Sequence, residues 1–160
     1  MELTFIYFGI PFWRAEVGKI ALFVGGIEFQ NRTITGEESQ RVKENGHLDD
    51  GTIIPFHQFP CLIVDGVSIA QTGGIARFCG KLSNMYPSTN DILAAQIDQY
   101  LDIATDITVL VSSAGGEKDD EKRRTMRQDM CSGALGRKLQ ILDKNIADDS
   151  DWVLGQDMSL

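Results

Sequence analysis

A chain of 160 residues with 42% hydrophobic side chains is long enough to bury a core and too apolar to stay disordered. Lys and Arg number 15 against 23 Asp and Glu, a formal net charge of −8. That balance speaks against nucleic acid as a partner, because such binding needs cations to neutralise phosphates. No stretch approaches the roughly 18 apolar residues of a membrane span. The opening Met1-Glu2 runs straight into an apolar segment without a basic region or cleavage site. Cys61, Cys79 and Cys131 lie far apart, and only two histidines accompany them, so no metal site is expected. The odd count and apolar flanks of the cysteines suit packing as small hydrophobes in a reducing compartment, which points to a cytoplasmic protein.

Residues 3–8, rich in aromatic and β-branched types, read as a buried strand, broken by Gly9-Ile10-Pro11. Residues 14–24 follow as a helix with Ala15, Gly18, Ala21 and Leu22 on one face, stopped by Gly25-Gly26. A second strand over 27–34 completes a β-α-β unit. Residues 36–58 are polar, bear glycines and lack a clear period, so a long irregular connection with one helical turn is expected there. Residues 61–69 read as a hairpin turning at Asp65-Gly66. Thr72 is then placed as the cap of a short helix reaching about Lys81.

The pattern changes after Pro87-Ser88-Thr89-Asn90. Residues 91–112 carry Leu93, Ile97, Tyr100 or Leu101, Ala104, Ile107 and Val111 at helical spacing, ended by Ser112-Ser113-Ala114-Gly115-Gly116. A second helix is expected to carry Met126, Met130, Ala134, Leu139, Leu142 and Ile146 on one face, and its opening charge run reads as a solvated face. Gly133 and Gly136 cost that helix stability, and either close packing on another helix or a local irregularity accounts for them. The predicted organisation is a β-α-β, loop, β-β-α half over 1–82 followed by an all-helical half over 83–160. The second half is the more acidic, with 8 basic and 14 acidic side chains against 7 and 9 in the first.

Several blocks within this order resemble one family. Tyr7-Phe8, Arg14-Ala15-Glu16, Phe59-Pro60 with Val64-Asp65-Gly66, and Gln71-Thr72 with Ile75-Ala76-Arg77-Phe78 are together similar to cytosolic glutathione S-transferases of the tyrosine type, the sigma, mu, pi and alpha classes. The segment 152–160 resembles the family's entry into a helical-domain capping box. Because Ser159 is followed by only one residue, the chain is expected to be a truncated piece of a longer protein. The resemblance implies a thioredoxin-like α/β domain with a mixed four-stranded sheet over 1–82, which binds glutathione. It implies an incomplete helical domain over 83–160 that carries part of the electrophile site. It also implies a homodimer, glutathione as co-substrate without a prosthetic group, and small hydrophobic electrophiles as the other substrates.

Such an enzyme must hold the glutathione thiol as thiolate near neutral pH, although a free thiol has a pKa near 8.5. Family members aim a tyrosine, serine or cysteine at the sulfur. Residues 1–38 contain no serine or cysteine, and Tyr7 is the only tyrosine before Tyr86. Tyr7 is therefore the expected hydroxyl donor, with a core tyrosine as the alternative. Five residues separate Tyr7-Phe8 from Arg14, where relatives usually have four; Arg14 either tunes the thiolate or pairs with a core carboxylate. Pro60 matches the family's cis-proline, which leaves the Phe59 backbone to hold the cysteinyl part of glutathione. Gln71 and Thr72, at a helix start, fit the pair that binds the γ-glutamyl carboxylate. Gln58 and Lys43 are carried over for the glycyl end, although the tryptophan that relatives place in the 36–45 region is missing. Asp102 resembles the acidic residue that reaches the partner subunit's γ-glutamyl amine, and a solvated carboxylate is the alternative. Cys61 is read as packing.

The expected activity is conjugation of glutathione to small electrophiles. A sigma-like lipid isomerase or peroxidase is a second reading within the fold, and a non-catalytic ligand carrier or interaction protein a third. A thiol–disulfide oxidoreductase is disfavoured, since no cysteine sits at the first helix start.

Overall fold

A computed structural model describes residues 1–10, 12–146, 152–154 and 158–160. The described residues divide into two compact units, Met1–Asp91 together with Leu160, and Ile92–Ser159.

In the first unit, strand β1 (Leu3–Phe8) leads through helix α1 (Glu16–Val24) to β2 (Gln30–Ile34), parallel to β1. Helix α2 (Gly36–Asn45) and a 3-10 turn (Pro55–His57) precede the hairpin β3 (Cys61–Val64) and β4 (Val67–Ala70), and α3 (Thr72–Leu82) closes the unit. The sheet order is β2-β1-β3-β4, with β3 antiparallel to both neighbours. The thioredoxin-like mixed sheet expected from the sequence is therefore present.

The central strands β1 and β3 are apolar almost throughout because both of their faces are covered. Alternate residues of β1 point to opposite faces. Ile6 joins Ile34, Val42, Leu48, Ile54 and Cys61 in one buried cluster. Phe5, its neighbour, points to the other face, where α1 and α3 pack. Gly18 makes that packing possible: a Cβ there would lie 2.9 Å from the Phe5 ring, 3.1 Å from Ile75 and 3.3 Å from the Cys79 sulfur. The hairpin turns at Asp65 and Gly66, both at positive φ (48° and 85°), the geometry that suits a two-residue connection.

Three expectations for the chain path need correction. The irregular stretch over 36–58 contains a ten-residue helix, α2. Its start is a capping box, in which the Thr35 hydroxyl accepts from the Glu38 amide at 3.1 Å and the Glu38 carboxylate accepts from the Thr35 amide at 2.8 Å. The second strand starts at Gln30, not at residue 27. Thr72 is the first helical residue of α3, and Gln71 occupies the cap position without a side-chain capping bond.

In the second unit, α4 spans Asp91–Ser113 as its period predicts. The single long helix expected after it is two helices, α5 (Asp120–Ser132) and α6 (Ala134–Asn145). The chain breaks at Gly133, whose φ of −108° and ψ of −121° are not helical. A Cβ on Gly136 would collide with the Cys131 carbonyl oxygen. Both glycines thus serve a local irregularity of the chain. Asp119 caps α5 by accepting from the amides of Glu121 and Lys122, each at 3.0 Å. The Tyr100 hydroxyl donates to the Asn145 carbonyl at 2.8 Å, and Lys138 pairs with Asp106 at 2.8 Å, tying α6 to α4. Of the candidate capping segment over 152–160, Gly155, Gln156 and Asp157 lie outside the described residues.

Candidate active site

The register of the sheet decides which candidate residues meet. Ile6 pairs with Cys61, and Cys61 with Ala70. The end of β1 (Tyr7, Phe8), the approach to β3 (Phe59, Pro60) and the exit of β4 (Gln71) therefore sit side by side at one end of three adjacent strands. Neighbouring strands are about 4.8 Å apart, so the three pieces span a width suited to an extended tripeptide.

Tyr7 faces the same side of the sheet as Phe5 and is 5% exposed. Its ring meets Phe8 edge-on at 5.4 Å, and Phe8 meets Phe59 at 5.9 Å. Burial raises the Tyr7 pKa. A hydrogen bond from the Arg14 backbone and the Arg14 charge oppose the rise, and the Glu16 carboxylate adds to it. The phenol accordingly keeps its proton at neutral pH. It can donate a hydrogen bond to an anion but cannot serve as a base. Arg14 is half-buried in the turn before α1. Trp13, just before it, has a φ of 98°, a region costly for a residue with a Cβ.

The Phe59–Pro60 bond is cis, as expected. Pro60 is buried and Phe59 half-buried. Gln71 is exposed, with φ 70° and ψ 128°, a conformation that favours glycine. Strained residues of this kind cluster at ligand clamps. Thr72 opens α3, where unsatisfied amides and the helix dipole favour an anion.

Lys43 and Gln58 are both exposed, and a histidine that residue patterns did not single out connects them. The His57 ring Nδ1 lies 3.1 Å from the Lys43 carbonyl oxygen, so the histidine beside Gln58 is held against the end of α2. Gly46 makes room for it: its φ is 78°, and a Cβ there would lie 2.5 Å from His57 Nε2. The sequence signal was a glycine just past the end of a capped helix. Asp102 lies on α4 in the second unit, exposed and already engaged in an interaction.

Cys61 is buried beneath this end of the sheet. Burial lifts its thiol to about 11, against hydrogen bonds from Ser68 and the Ile69 backbone. Burial lifts Cys79 to about 12. Neither is a thiolate at neutral pH, so both pack, as expected. Cys131 is exposed, which corrects its expected burial. Among the described residues no helix is long and apolar enough to cross a membrane.

The fold and this arrangement define a thioredoxin-like domain joined to a helical one, with its candidate ligand groups where the strands give way to α1 and α3. Residues 3–80 match the family described as Glutathione S-transferase, N-terminal domain. Over those residues the chain belongs to the glutathione S-transferase family. It is 28% identical over 149 residues to Glutathione S-transferase 2 of Manduca sexta, covering 90% of this chain and 68% of that protein. It is 26% identical over 146 residues to Hematopoietic prostaglandin D synthase of Gallus gallus, covering 91% and 67%. The structure of prostaglandin synthase D of Nilaparvata lugens superposes with a TM-score of 0.82 at 20% identity, covering 99% of this chain and 75% of that one. That likeness concerns the fold.

Proposed function

We propose that the protein is a tyrosine-type glutathione transferase, in which the Tyr7 hydroxyl donates to the glutathione sulfur and stabilises it as thiolate. The observation that carries this reading is Tyr7 itself, a buried phenol that holds its proton at the end of β1, next to the cis-Pro60 approach to β3 and at the same sheet end as the Gln71-Thr72 helix start one strand further on. A charge-assisted hydrogen bond to a forming thiolate lowers that thiol's pKa, and each unit of lowering corresponds to about 1.4 kcal/mol. Arg14 adds a positive charge near the same point. The Phe59 backbone, ahead of Pro60, is assigned to the cysteinyl part of glutathione, and Gln71 with Thr72 to the γ-glutamyl carboxylate. Lys43 and Gln58 are assigned to the glycyl carboxylate. In a homodimer, Asp102 is the carboxylate offered to the glutathione of the partner subunit. Residues 1–82 would then be the glutathione-binding domain, in a soluble cytoplasmic enzyme with glutathione as co-substrate and no prosthetic group.

A second reading keeps the same thiolate and changes the substrate. Two of the similar proteins are named prostaglandin D synthase or prostaglandin synthase D, which favours a glutathione-dependent lipid isomerase as this second activity.

The test is a glutathione titration with a conjugation assay on a chloronitroaromatic electrophile, for the wild type and Tyr7→Phe. Removing one preorganised donor to a developing anion typically costs 10²–10³ in rate, so kcat/KM should fall about 100-fold. The alkaline-rising limb of its pH profile should move up toward the free-thiol value of about 8.5. Unchanged activity in Tyr7→Phe would remove Tyr7 from this role. Tight glutathione binding without turnover in the wild type would favour a ligand carrier.

A further inference from the structure

The first unit has a cleft at the end of the sheet opposite to Tyr7. There Met1, Glu2 and Leu3 enter β1, α1 runs out at Phe23, residues 26–30 lead into β2, and Asp65 turns the hairpin. Its volume is about 850 Å³, within the range of small-molecule sites. Leu3 and Tyr7 are four residues apart along β1, so the two ends are separated by about 13 Å of strand.

Phe23, Ile27 and Phe29 furnish an apolar wall. Phe23 is 80% exposed, a large aromatic surface left to water. Glu2, Glu28 and Asp65 supply three carboxylates, and among the described residues no Lys, Arg or His side chain lines the cleft. Helix α1 also ends here with no basic residue in its last turn, so the negative end of its dipole adds to the field. Asp65 is already committed, since its carboxylate accepts from the Glu2 amide at 2.7 Å. Glu28 is exposed and stands next to Phe29.

We propose that this cleft is a binding site for a small aromatic organic cation, whose charge is met by Glu28 and Glu2 and whose apolar body lies on Phe23, Ile27 and Phe29. Anions are repelled by the same carboxylates. The cation also gains from the aromatic faces, since a positive group over a phenyl ring is attracted by its quadrupole. The site is independent of the glutathione reading, because none of its lining residues belongs to that set.

The experiment is a titration of the whole chain with benzyltrimethylammonium, followed by backbone amide NMR shifts, with benzenesulfonate as the anionic counterpart. Saturating shifts at residues 26–30 and 65 are expected for the cation and none for the sulfonate. Glu28→Gln and Phe23→Ala, both at exposed positions, should each weaken binding by about three-fold, the size of an exposed cation–π or charge contact. The proposal is overturned by an absence of saturable shifts up to about 10 mM, an affinity of under 3 kcal/mol. It is equally overturned by shifts centred on Tyr7 and Gln71, by equal binding of the sulfonate, or by wild-type affinity in both variants.

Discussion

The two units of this chain use their apolar residues differently. In the first, both central strands are enclosed: Phe5, Leu22, Cys61, Leu62, Ala76 and Cys79 are fully buried between the sheet and its helices. In the second, Ile97, Ala114 and Leu135 are the buried apolar side chains among the described residues, while Ile92, Val109 and Ile141 remain more than half exposed. A sheet covered on both faces completes its core within one unit, whereas three helices cover only part of one another's apolar stripes. Precision at the candidate site follows the same division. Tyr7, Pro60 and Gln71 are set by strand register, whereas Asp102 rests on one long helix.

The strongest way to break this contrast is to truncate one apolar residue in each unit. Leu62→Ala removes a fully buried side chain from the central strand and should cost about 2–5 kcal/mol. Ile141→Ala removes a side chain that is 54% exposed and should stay within about 0.5 kcal/mol. Urea unfolding followed by tryptophan fluorescence separates the two, because Trp13 reports on the first unit and Trp152 on the second. Equal losses in the two variants would mean that the second unit is as tightly packed as the first.

A smaller effect distinguishes the thiols. At pH 8 a disulfide reagent should titrate Cys131 quickly and leave Cys61 and Cys79 protected until the chain unfolds, since only Cys131 is exposed. Alkaline pH should destabilise the first unit through the same burial. An unfolded cysteine ionises near pH 9, while Cys61 and Cys79 hold their protons to about 11 and 12. The unfolded chain therefore binds fewer protons in that window, and stability falls as pH rises from about 9 toward 12. Three thiols reacting at one rate in the folded protein would contradict the packing described for β3 and α3.

Much of the first unit was legible because its signals are local. The aromatic run at 3–8, the Asp65-Gly66 turn and the small residues of α1 each fix one element without help from the rest. Helix α2 was missed because its period is weak: it buries only Ser39 and Val42, so a search for an apolar stripe passes over it. The Thr35–Glu38 capping box and Gly46 were the better evidence, and they mark ends rather than faces. The break at Gly133 was hidden by an apolar pattern that continues across it. At the site, residue types and order pointed to Tyr7, Pro60, Gln71 and Thr72. The Lys43–His57 contact and the positive φ of Trp13 and Gln71 depend on how distant segments close on each other, which residue types alone do not encode.

Gln71 gives the smallest expected effect and separates stability from binding most cleanly. Its φ of 70° and ψ of 128° carry a strain of order 1–3 kcal/mol for a side-chain-bearing residue. Glycine relieves that strain and loses roughly 0.5–1 kcal/mol through the greater freedom of the unfolded chain. Gln71→Gly should therefore leave the protein equally stable or more stable by about 1 kcal/mol, and glycine is an acceptable residue at a helix cap. If the Gln71 side chain binds the γ-glutamyl carboxylate, the same variant should lose glutathione affinity by about ten-fold, the cost of one hydrogen bond to a charged group. A variant that is more stable and still binds glutathione as the wild type does would show that the backbone at this helix start, and not the Gln71 side chain, holds the anion.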